Sequence, residues 1–142
     1  MRAVVAVLFA LGAASACGPS NQPTGLDDPD VRSKLRMLAL AASQANGVPS
    51  PKSIEAVASD DHQAAEKVVS GSVVNDHVPV YVVEVTGGTF TDSTASVPPG
   101  AATPTGTVMT LTVGTQSFNV LDFGLSYMAP DLSQLGPVVS LQ

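Results

Sequence analysis

The chain contains one cysteine, Cys17. A lone thiol cannot close an intramolecular disulfide, so any fold must be held by an apolar core. The residues before it are equally telling. Arg2 supplies a positive start, and residues 3–14 are uncharged, with Val4, Val5, Val7, Leu8, Phe9 and Leu11 as the apolar body. Ala14 and Ala16 put small side chains three and one positions ahead of Cys17. That order is the layout of a secretory signal peptide, and it is too short for a permanent membrane-spanning helix.

The segment Ala14-Ser15-Ala16-Cys17 resembles the lipobox of bacterial lipoproteins, with Ala14 where leucine is usual. The resemblance implies cleavage before Cys17 and lipidation of its thiol. Two acyl chains would follow, and at about 0.8 kcal/mol per buried methylene they anchor stably where one chain is marginal. Two other uses of the thiol stand beside this one: the first residue of a freely secreted protein, or a packed free thiol.

The expected organisation is a signal over 1–16, a tether over 17–28 and a single domain over 29–142. A domain of that size buries enough surface to fold without metal or disulfide. The precursor carries a formal charge of −6; loss of Arg2 leaves five basic against twelve acidic residues, or −7. Such a balance speaks against nucleic acid as a partner and against electrostatic attraction to anionic lipid. Membrane contact is therefore expected through the lipid.

Asp28 suits a helix N-cap, Pro29 the first helical position and Asp30 the positive end of the dipole. Val31, Leu35, Leu38, Ala42 and Ala45 form one helical face, and residues 37–42 are apolar nearly all round, which predicts a deeply buried second half. Asn46-Gly47 signals the end. A strand over 53–59, with Ile54 and Val57, and a short helix over 60–70 capped by Asp60 or Asp61 follow. Residues 78–85 read as a central strand, with Val80 and Val82 on one side and Tyr81, Val83 and Val85 on the other. Gly87-Gly88 marks a bulge.

Residues 107–113 alternate, with Met109, Leu111 and Val113 inward, and 117–123 return as the partner strand. Between the strands lies a polar connection over 91–105. A connection of that length is often functional, which makes Val97, Pro98, Pro99 and Gly100 candidate partner-binding residues. The sum is an α+β domain, an N-terminal helix packed on a mainly antiparallel sheet of about four strands. That order is similar to cystatin-like or PepSY-like two-layer domains, a likeness of fold that says little of function. Val97-Pro98-Pro99-Gly100, Pro104-Thr105-Gly106-Thr107, Asp122-Phe123-Gly124-Leu125, and Asp131-Leu132 with Leu135-Gly136-Pro137-Val138 resemble signatures of uncharacterised exported proteins of high-GC Gram-positive bacteria. That resemblance implies a location and brings no activity.

Chemistry-bearing residues are few. His62 and His77 adjoin Asp61 and Asp76 but show no metal-ligand spacing, so both read as solvated loop residues and neither metal nor cofactor is expected. No Gly-x-Ser-x-Gly elbow exists for a serine nucleophile. Glu84, on an apolar strand, could act as acid or base with His62 or His77; the plainer expectation is a wet strand end or a pairing with Lys52 or Lys67. The leading reading is a non-enzymatic, membrane-anchored extracytoplasmic module with an envelope protein partner. A protease-inhibitor or regulatory domain and a small Glu84 hydrolase are the alternatives.

Overall fold

The structure is a computed structural model and describes residues 25–142. The chain forms helix α1 (Pro29–Ala45), strand β1 (Ser53–Ser59), helix α2 (His62–Val69), strands β2 (Val80–Thr91), β3 (Thr105–Gly114) and β4 (Val120–Ser126), a 3-10 turn (Leu132–Gln134) and a short strand β5 (Val139–Ser140). The α+β class is as expected. The sheet is wholly antiparallel in the order β4-β3-β2-β1-β5, so the apolar strand β2 is its centre. A fifth strand appears because the tail returns to pair Glu55 with Ser140 and Ala56 with Val139.

Helix α1 begins as its sequence dictates. The Asp28 side chain accepts from the Asp30 N–H, and Pro29 sits where no donor is needed. It ends in a Schellman motif. Gly47 takes φ +89°, its N–H donates to Gln44 O, and the Val48 N–H reaches back to Ser43 O at 2.9 Å. The buried stripe is Val31, Leu35, Ala39 and Ser43, a strict four-residue row. Leu38 and Ala42 are half-buried, Ala45 is exposed and Met37 is 67 % exposed, so the second half of the helix is not buried all round. Small residues at 39 and 43 let the helix lie close to the sheet. Ser43 can be buried because its hydroxyl donates to the Val48 carbonyl.

Strand alternation sorts the core into two faces. Ile54, Ala56, Tyr81, Val83, Val85, Met109, Leu111 and Val113 meet α1. Val57, Val80 and Val82 meet Ala65 of α2 and Leu132 of the 3-10 turn. The second face is therefore covered as well, by α2 and the 3-10 turn. Thr112, which alternates with the inward residues, is buried there and donates to Glu66 of α2.

Strand β4 starts three residues later than the sequence pattern suggests. Phe118 adopts φ +52° within the β3–β4 turn, which delays pairing. Its ring stacks on Tyr81 with centroids 6.1 Å apart, and Lys34 Nζ lies 4.9 Å above it.

Candidate functional site

Two contacts fix the polarity of α1 against the sheet. Near its start, Lys34 covers Phe118 in the β3–β4 turn. At its end, Asn46 O accepts from the Thr91 N–H at 2.9 Å. The chain thus enters the domain beside the 114–119 turn, and the β2–β3 connection lies at the opposite end.

That connection is built rather than loose. Asp92 accepts from the Thr94 N–H at 3.0 Å and from its hydroxyl at 2.7 Å, and the Asp92 N–H continues the ladder to Pro104 O. These hydrogen bonds favour the ionised form, and the Asp92 carboxyl is held below its ordinary pKa. At the tip, the Ala101 N–H donates to Pro98 O at 3.0 Å, with Gly100 at φ +84°. Pro99 followed by a left-handed glycine is the sequence of a type II turn. Val97, Pro98, Pro99 and Gly100 are all solvent-exposed there.

The same end carries two residues that sequence reasoning missed. Tyr127 is 66 % exposed and Met128 82 %, just past β4. The Tyr127 hydroxyl is hydrogen-bonded to Thr105 Oγ1, which ties the β4 exit to the base of the connection. The only sequence signal was a large apolar pair outside any strand period.

The α2 face holds the titratable groups. His62 lies buried, with Nδ1 2.7 Å from Asp76 Oδ1 and Nε2 3.4 Å from Glu66 Oε1. These contacts lack hydrogen-bond alignment. Glu66 is 2 % exposed and accepts from Thr112 Oγ1 at 3.1 Å and Ser70 Oγ at 2.9 Å. Burial, with the Glu66 carboxylate beside it, pushes the Asp122 carboxyl above its usual range. Beside this cluster, Ser70, Thr110, Asp122, Phe123 and Leu125 line a cavity of about 420 Å³.

His77 is exposed on the linker, where its Nδ1 lies 2.8 Å from Asp61 Oδ2, in line with the solvated reading. His62 is not solvated. Helix α2 begins on it, and residues 71–79 fold back so that Val78 O accepts its N–H. Among the described residues, no group of three or more His, Cys, Asp or Glu side chains is arranged to hold a metal.

Glu84 departs from expectation. Neither lysine pairs with it; it is buried opposite Glu55 and Thr110, and its Oε2 has no hydrogen-bond partner. Burial first, then the Glu55 charge, raises its carboxyl above the ordinary 4.5. Neither histidine meets it; both face other carboxylates.

The sign of that shift gives a first prediction. A raised native pKa means full stabilisation below the ordinary value, lost as pH rises through the native one. Glu84→Gln should therefore leave the urea midpoint near wild type at pH 4 and raise it at pH 7.5. Equal midpoints for the two proteins at pH 7.5 would refute the assignment.

No family model, curated protein or solved structure matches this chain. Cys17 and the signal over 1–16 lie outside the described residues, as does the tether up to residue 24. No helix among the described residues is long and apolar enough to cross a membrane.

Proposed function

We propose that the chain is a lipid-anchored extracytoplasmic binding module. It is held at Cys17 and engages an envelope protein through the end carrying Val97, Pro98, Pro99 and Gly100 with Tyr127 and Met128. One observation carries the reading: the chain enters at the end where Lys34 meets Phe118, whereas the β2–β3 connection lies at the other. A domain tethered through residues 17–28 would then present that connection away from the bilayer.

The surface suits recognition in two respects. Its turn is fixed by Pro99 and Gly100, so little ordering entropy remains to be lost on binding. Tyr127 and Met128 offer apolar area that nothing in the fold covers, and an aromatic side chain in such a place is a common anchor of protein interfaces.

Intact mass of membrane-extracted protein tests the anchor. The expected species starts at Cys17 and carries acyl mass, and Cys17→Ala should move most of the protein to the soluble fraction. An uncleaved, unacylated chain would overturn the reading. For the surface, crosslinking and pull-down from envelope extracts should enrich one protein. Recovery should fall at least tenfold when residues 97–100 become Gly/Ser or when Tyr127→Ala is introduced. Undiminished recovery from both variants would exclude this end as the contact.

A further inference from the structure

The described residues hold five lysines and arginines, and three of them, Arg32, Lys34 and Arg36, stand on the first half of α1. Arg32 and Arg36 are one turn apart. With Ser33, Ser140 and Gln142 they line a crevice of about 290 Å³ between the helix and the tail that carries β5. No lining side chain is acidic. The ion pairs among the described residues are all histidine pairs, so neither guanidinium has a carboxylate within 4.0 Å. Asp30 belongs to the same helix but projects about 120–160° round from the two arginines, at 100° per residue.

Arg32 is partly fixed in place. Its Nη2 donates to Asp27 O at 3.2 Å, while its Nε is buried and has no acceptor. An anion in the crevice would be met by the guanidinium N–H groups that remain free, and the adjoining first turn of α1 adds a favourable dipole.

We propose that this crevice binds a phosphate group. Two guanidiniums on successive turns reach an anion from two directions. That suits a tetrahedral oxyanion better than a carboxylate, whose two coplanar oxygens one guanidinium can satisfy. The phosphate could belong to a lipid headgroup or to a soluble ester, since the recognising chemistry is the same.

The test uses the full chain, with Cys17→Ser in every arm so that no acyl group attaches. Sodium phosphate is titrated against isotopically labelled protein at constant ionic strength, with sodium acetate as the comparison. Phosphate should give saturable amide shifts confined to the first half of α1 and residues 140–142. Arg36→Gln, at an exposed position, and Arg32→Gln/Arg36→Gln should each weaken binding at least tenfold while the remaining resonances keep their positions. If the double variant fails to fold, the single variant decides. Absence of saturable shifts, unchanged affinity in Arg36→Gln, or equal affinity for acetate would overturn the proposal. Vesicles of phosphatidylglycerol in phosphatidylcholine separate the two sources. Sedimentation with vesicles that free phosphate and Arg36→Gln both abolish assigns a headgroup; phosphate binding without sedimentation assigns a soluble ester.

Discussion

Glu66→Ala is expected to cost about 3–5 kcal/mol, the range found when one partner of a buried charged network is removed. Glu66 is 2 % exposed and gathers groups from several segments: His62 and Ser70 from the helix and its cap, and Thr112 from β3. Deleting it leaves the Thr112 hydroxyl without its acceptor, reduces Ser70 to its bond with the Glu66 main-chain carbonyl, and removes the carboxylate beside His62 Nε2. Glu66→Gln keeps the volume and one acceptor oxygen, so it should lose much less. Chemical denaturation of wild type and both variants checks this. If Glu66→Ala falls within 1 kcal/mol of wild type, the cluster does not hold α2 to the sheet.

A pH signature follows from the same geometry. The Glu66 carboxylate is one of the causes that raise the Asp122 carboxyl, so its removal should bring Asp122 back down. A raised carboxyl stabilises most below its ordinary range and loses that contribution as pH rises through the native value. The pH dependence of stability should therefore flatten above the ordinary carboxylate range in Glu66→Ala.

How far the fold was legible depended on whether the deciding interactions were local. Asp28, Pro29 and Gly47 punctuate α1 without help from the rest of the chain, and Asp61 does the same for α2. The faces of β2 could be read because valine fills both of them. The environment of Thr112 could not be read locally, because it depends on the return of α2, whose Glu66 accepts from the threonine hydroxyl. The delayed start of β4 rests on a left-handed Phe118, a conformation that few non-glycine residues announce.

The candidate sites divide along the same line. Val97, Pro98, Pro99 and Gly100 announced a turn through residue type alone. Tyr127 became part of that end only through its hydrogen bond to Thr105 across the β3–β4 pairing. His62 looked solvated because nothing in its neighbourhood of sequence says that the 71–79 linker folds back to bring Asp76 beside it. Glu84 looked free to find a lysine, whereas register sets Glu55 across from it.

Phe90→Ala should cost about 3–5 kcal/mol, as expected for emptying a buried aromatic site, and its effect should concentrate at the end proposed for binding. Phe90 is fully buried directly after the irregularity in β2 and pairs with Gly106. The 46–52 segment crosses the sheet closely there. A Cβ on Gly88 would lie 2.6 Å from a Val48 methyl, and one on Gly87 would lie 2.4 Å from Lys52 N. Phe90 is thus the last core side chain before the connection begins, and Thr91 beside it is clamped to Asn46. Its loss should speed hydrogen exchange at the Thr91 and Asp92 amides and expose residues 92–104 to proteolysis, while the Val80 to Val85 amides keep their relative protection. Phe90→Leu should lose less, because much of the volume remains. Uniform acceleration across all strands would mean that the binding end has no separate stability. Capture of an envelope partner by Phe90→Ala, measured cold enough for the protein to stay folded, should fall with the protection of those amides.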